Sequence, residues 1–131
     1  AVDIQQEMLD ALAARCKVNQ VTNVELIRGT TTSPNLKPGM VDLVIMVDVY
    51  HEFDMPYEML SAISKSLKPG GRIAFVEYRK EDPEVPIKEV HKMSEKQVKQ
   101  EAGDESLGLV WLKTYAKLPR QHVIFFEKQA K

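Results

Sequence analysis

The stretch from Val41 to Tyr78, VDLVIMVDVYHEFDMPYEMLSAISKSLKPGGRIAFVEY, constrains the fold more than any other part of the chain, because it reads as one βαβ unit. Val41 to Val47 is a nearly continuous apolar run ending at Asp48, the pattern of a strand buried on both faces of a parallel sheet. From Met55 onward, Met59, Leu60, Ile63 and Leu67 form one helical stripe, with Asp54 placed to cap its start and Pro56 tolerated in the first turn. Lys65 and Lys68 then meet the negative end of the helix dipole, and Pro69-Gly70-Gly71 breaks the helix before Ile73 to Val76 resumes as a strand. A strand, helix and strand in that order cross over right-handedly and lie parallel. In open parallel sheets ligands bind beyond the carboxyl ends of the strands, so Asp48 to Phe53 and Glu77 to Arg79 form the mouth where chemistry is expected.

The remainder arranges itself around this unit. Ala1 to Ile4 reads as the end of a strand, and Gln5 to Val18 as a helix with Met8, Leu9, Leu12, Ala13 and Cys16 on one face and Asn19 as a left-handed stop. Val24 to Arg28 is a short strand, followed by a polar loop, Thr30 to Met40, expected to be exposed and mobile. Beyond the central unit, Arg79 to Lys92 is charged and interrupted by Pro83 and Pro86, which predicts a surface flap on the active side. Ser94-Glu95-Lys96-Gln97 has the form of a capping box and opens a short helix ending near Gly103. Leu107 to Tyr115 and Val123 to Glu127 are the last strands; the connection between them is too short for a crossover helix, so they pair antiparallel. The expected fold is α/β, a mostly parallel sheet with an antiparallel last strand, in one domain covering residues 1–131.

With 18 basic and 19 acidic residues the net charge is −1, which supplies no global attraction to nucleic acid or to a membrane surface. No apolar run approaches the roughly 18 residues needed to span a bilayer. Neither nucleic acid nor membrane is therefore an expected partner. A lone cysteine, Cys16, forms no internal disulfide; it suits a reducing cytoplasm and reads as packing. His51, His91 and His122 show no metal-ligand spacing to one another, so no metal is expected. Trp111 and Phe125 fall in strand patterns as core or interface residues, and an initial Ala reads as a processed or truncated product.

The pairing of VDLVIMVDVYHEF with LKPGGRIAFVEY resembles the fourth strand, following helix and fifth strand of class I S-adenosylmethionine-dependent methyltransferases. The resemblance extends over nearly the whole chain and implies a Rossmann-like methyltransferase sheet that is incomplete at the N-terminus. The chain then holds the end of strand two and strands three to seven, without strand one and its glycine-rich turn. The implied cofactor is S-adenosylmethionine, and the implied partner a small-molecule methyl acceptor.

The family pattern assigns residues as well. It implies that Asp3 accepts the ribose hydroxyls, whereas Asp3 on its own reads as a cap for the helix starting at Gln5. Ile4 packs on the adenine in this reading, and Gly29 and Thr30 lie near its amino group, where the family often has an acidic residue and this chain has none. Asp48 orders the cofactor loop. His51-Glu52-Phe53 is similar to the His-Asp-aromatic segment of small-molecule O-methyltransferases, in which the histidine is the general base. An imidazole suits that task with an unperturbed pKa of about 6.5; the other reading is a histidine bonded to loop backbone. A buried Glu52 would favour an amine acceptor. Tyr50, Glu52, Tyr78, Arg79 and His91 are candidate acceptor contacts, with plain solvation as the other reading of the charged ones. Two further classes stay open: a catalytically incomplete fragment that forms a homodimer through the edge of Val41 to Val47, and a dinucleotide-binding oxidoreductase, which the antiparallel end disfavours.

Overall fold

The structure, a computed structural model, describes residues 1–130. The central unit forms as its periodicity predicts. β3 (Val41–Val47) leads through α2 (Pro56–Ser66) into β4 (Leu67–Arg79), and the two strands are parallel, with Val44 opposite Ile73 and Val47 opposite Val76. After β5 (Lys92–Met93) and α3 (Glu95–Ala102) come β6 (Leu109–Tyr115) and β7 (Gln121–Lys128). The larger sheet runs β3-β4-β7-β6, and β7 is antiparallel to both neighbours. β5 is a two-residue strand that the sequence did not show. It pairs with Tyr78 and Arg79 of β4, and because β7 already holds one edge there, β5 occupies the edge that β3 has left.

One face of this sheet carries the core. Met46, Ile73, Phe75, Ile124 and Phe126 point to the side where α2 lays down Met59, Leu60 and Ile63 and α3 lays down Val98 and Ala102. Phe75 meets Phe126 and Tyr50 edge-on at 5.8 and 4.9 Å between ring centres. Ser94 caps α3 as expected, its hydroxyl accepting from Gln97 N at 3.0 Å. Pro56 opens α2, but the preceding position is Met55, and Asp54 provides no cap. LKPGGR is a bulged beginning of β4: Val41 faces Leu67 and Leu43 faces Arg72, so the extra residues arch outward over Gly70 at φ +75°. Lys68 is drawn to Asp42 on β3 at 2.8 Å.

The opposite face differs from the expected strand buried on both sides. Leu43, Ile45 and Val47 are 54%, 62% and 50% exposed, because α2 and α3 both lie on the other face and β3 is the end strand of its sheet. The N-terminal part stands separately as β1 (Val2–Asp3) paired parallel with β2 (Ile27–Arg28) and linked through α1 (Gln6–Val18). β2 is shorter than the expected Val24–Arg28. Of the α1 stripe only Leu9 is buried; Met8 and Ala13 are exposed and Cys16 half-buried. The left-handed residue after α1 is Gln20, at φ +56°, rather than Asn19. Residues 30–40 are largely exposed, although Pro34 is buried.

Candidate active site

The turn beyond β3 is set by two constraints. Asp48 N still donates to Val76 O at 2.8 Å, continuing the strand register, while Asp48 itself adopts φ +52° and swings the chain off the sheet. A single 3-10 turn follows at Tyr50–Glu52. Because Val47 faces Val76, the next residue of β4, Glu77, emerges under this turn. Its side chain is fully buried. His51 N donates to Glu77 Oε1 at 3.3 Å, and the His51 ring meets Glu77 Oε2 through Nδ1 at 2.7 Å. A carboxylate acceptor requires Nδ1 to carry hydrogen, which leaves Nε2 as the other functional atom of the ring. Burial pushes the Glu77 carboxyl above its ordinary value, the hydrogen bonds and charge of His51 pull it back, and nearby Asp48 adds a further upward push.

Two more groups converge here. Glu52 Oε1 lies 4.0 Å from His51 Nε2, and the His91 ring stands edge-on to His51 at 5.5 Å. His91 comes from the flap 40 residues along the chain, delivered by the pairing of β5 with the end of β4. Asp48 completes the mouth: Oδ2 accepts from Gln121 Nε2 at 2.8 Å, while Oδ1 is buried with no hydrogen-bond partner. A buried carboxylate oxygen without a partner is costly and marks a position where a ligand donor fits.

The structure separates the sequence candidates. His51, Glu52 and His91 are brought together. Tyr50 is corrected: it is 2% exposed, packed between Phe53 and Phe75, with its hydroxyl donating to Glu101 at 2.6 Å, so the ring belongs to the core and not to an acceptor contact. Burial and the Glu101 carboxylate push its hydroxyl pKa far up. Arg79 is corrected too, since its guanidinium donates to the carbonyls of Leu118, Pro119 and Gln121 and pairs with Asp82. It secures the turn between β6 and β7. Glu52 has a side chain 65% exposed, which removes the premise of a buried carboxylate favouring an amine. Trp111 is 42% exposed under the Lys99 ammonium at 3.6 Å and is no core residue. Tyr78 is half-buried beside the mouth.

At the other strand ends, Asp3 Oδ1 accepts from Gln5 N at 2.8 Å, so one oxygen is used in turning the chain into α1 and the other remains for a ligand. Ile4 is 47% exposed next to it. Gly29 N donates to Asp3 O at 2.9 Å, and the Thr30 hydroxyl accepts from Thr32 N and Ser33 N, organising the loop. The sequence places Glu77 at the mouth without giving it a role, and it does not point to Gln121 at all. A carboxylate closing the apolar run Ile73 to Val76 was the available signal for the first, whereas nothing local marks the second.

Parallel strands joined through helices, with acidic residues at the carboxyl ends of β1 and β3 and a histidine-carboxylate pair beyond β3, form the arrangement in which open α/β folds bind nucleotide cofactors. The methyltransferase domain family matches residues 1–75, more than half of the chain, and the chain belongs to that family. No curated protein sequence matches it. Among solved structures, an S-adenosylmethionine-dependent methyltransferase from Aquifex aeolicus is 20% identical with a TM-score of 0.87, covering 97% of this chain and 66% of its own. One from Methanosarcina mazei is 15% identical with a TM-score of 0.74, covering 99% and 81%. The [4+2]-cyclase SpnF is 11% identical with a TM-score of 0.82, covering 99% and 65%. These likenesses establish the Rossmann-like methyltransferase fold, and the chain spans about two thirds of the length of the first of them. S-adenosylmethionine is the cofactor of the class. The residues present fit it in part: Asp3 and the unpartnered Asp48 oxygen suit donor groups of a nucleoside, while the sequence contains no G-x-G-x-G.

Proposed function

We propose that the chain takes part in S-adenosylmethionine-dependent methyl transfer to a small-molecule acceptor held at the mouth beyond β3 and β4. The observation that carries this reading is the buried His51–Glu77 pair, whose ring keeps Nε2 for a partner outside the fold. Asp3, Ile4 and Asp48 would hold the cofactor, with Gly29 and Thr30 offering their loop to the adenine end. The bound cofactor supplies an electrophilic methyl group on a sulfonium. Since that group is already activated, the protein contributes chiefly by holding donor and acceptor in line. A hydroxyl acceptor loses its proton to His51 Nε2, and Glu77 stabilises the imidazolium that results. His91, Glu52 and Tyr78 border the space where the acceptor lies.

The test is a thermal shift with S-adenosylhomocysteine, followed by transfer of labelled methyl to small hydroxyl, thiol and amine acceptors. Ligand at a hundred times its dissociation constant stabilises by about 2.7 kcal/mol, several degrees for a domain of this size. Asp3→Asn is expected to remove most of that shift. His51→Ala is expected to preserve it while slowing transfer by roughly 10²–10⁴-fold. Absence of any shift, or transfer unaffected by His51→Ala, would refute the corresponding half of the reading.

A further inference from the structure

We propose that His51, Glu52 and His91 form a binding site for a divalent transition-metal ion. Each offers one nitrogen or oxygen atom, and those atoms lie within 4.8 Å of one another. Ligands of a tetrahedral zinc at about 2.0–2.1 Å stand roughly 3.4 Å apart, so an ion closes the cluster by little more than an ångström. The side chains are arranged for that movement. His51 is the fixed member, its side chain 7% exposed and clamped by Glu77, whereas Glu52 and His91 are exposed and have room to turn inward.

A second, independent observation points the same way. Metal-ligating histidines almost always donate their other ring N–H to a carboxylate or carbonyl, which fixes the tautomer and presents a lone pair to the ion. His51 Nδ1 meets fully buried Glu77 in this manner at 2.7 Å, and Nε2 faces Glu52. The local charge also favours a cation. Glu52 and Glu77 stand against the two ring nitrogens of His51, while the two basic residues that flank the flap are engaged elsewhere: Arg79 with the turn between β6 and β7, and Lys92 with Glu89 and the Asp82 carbonyl. Two imidazoles and one carboxylate suit zinc, cobalt, nickel or iron(II) rather than magnesium or calcium.

Three protein ligands leave a coordination position open, the arrangement of catalytic rather than structural sites. Resting on the methyl-transfer reading, the acceptor oxygen or sulfur takes that position. Its proton passes to solvent on coordination, and its lone pair forms the new bond to carbon as the carbon–sulfur bond of the sulfonium breaks. In the metal-loaded protein His51 is then a ligand, and the ion replaces it in acidifying the acceptor.

Cobalt(II) titration of the chain tests ion binding without cofactor or turnover. The expected result is visible d–d absorption saturating at one equivalent and displaced by zinc. Cys16→Ser is expected to leave it unchanged, His91→Ala to weaken binding at least tenfold, and Glu77→Gln to weaken it about ten- to a hundredfold. His91 is exposed, so its substitution isolates the ligand from folding. No visible band, a band indifferent to His91→Ala, or one abolished by Cys16→Ser overturns the site. A normal cobalt spectrum without methyl transfer counts against the methyl-transfer reading alone.

Discussion

Glu77 shows what a single position loses when read along the chain and gains when read across a sheet. Its role comes from register, since Val47 opposite Val76 puts Glu77 beneath the turn that carries His51. His51 itself was legible because it follows the apolar strand, and His91 was legible as a flap residue. Their proximity was not, because the pairing that joins them is only two residues long. The same logic predicts that Tyr50 is structural. Tyr50→Phe removes the bond to Glu101 but keeps the ring packing, so denaturant unfolding is expected to show a loss of about 1 kcal/mol with acceptor selectivity unchanged. A change in selectivity at constant stability would return Tyr50 to the acceptor site. His122 gives a pH dependence. It is 2% exposed with Nε2 donating to Met93 O, and burial, the largest influence, holds its pKa below the usual value against the pull of Glu81, Met93 O and Glu95. The unfolded chain therefore binds the proton more readily. The stability tied to neutral His122 is complete above about pH 6.5 and is lost progressively as the pH falls below it. Urea midpoints should drop on acidification across that range, and His122→Gln should flatten the drop.

Helices were legible where the amphipathic pattern was strong, as in α2, whose stripe of Met59, Leu60 and Ile63 is buried as read. Ser94 likewise announced α3 through its spacing to Gln97. The LKPGGR segment was legible as a break but not as a bulge. Proline and glycine report the freedom of the backbone, and only the partner strand decides whether the residues between them remain in the ladder. Gly71 is the tight point: a Cβ there would come within 2.8 Å of Lys68 O and 3.0 Å of Val41 O, both backbone atoms with little freedom to move. Gly71→Ala is expected to destabilise by about 1–3 kcal/mol, through displacement of the β3–β4 register at its start. Gly70 stands in open space at φ +75°, so Gly70→Ala carries only the left-handed backbone cost of roughly 1–2 kcal/mol. Calorimetric unfolding of the two variants compares them directly. Equal losses would show that the close approach at Gly71 contributes nothing.

For the molecule as a whole, periodicity identified the apolar residues but could not say what covers them. Val41 to Val47 is apolar at nearly every position, as strands buried on both faces are, yet one of its faces is about half exposed and one of its edges has no paired strand among the described residues. The separate β1–β2 pair belongs to the same pattern, for it is parallel and short and leaves most of the apolar stripe of α1 uncovered. A free edge bearing Leu43, Ile45 and Val47 is a template for strand pairing with a second copy. Sedimentation velocity over a range of concentrations is therefore expected to show reversible self-association to a homodimer. Ile45→Lys should suppress it, because a lysine on an edge strand resists strand addition without disturbing the ladder already made. At 62% exposure, Ile45 contributes little to the folded monomer, and the substitution should alter stability by no more than about 0.5 kcal/mol. Loss of association at unchanged unfolding midpoint would identify β3 as the contact; association that persists in Ile45→Lys would exclude this edge, and a monomer at all concentrations would remove the dimer altogether.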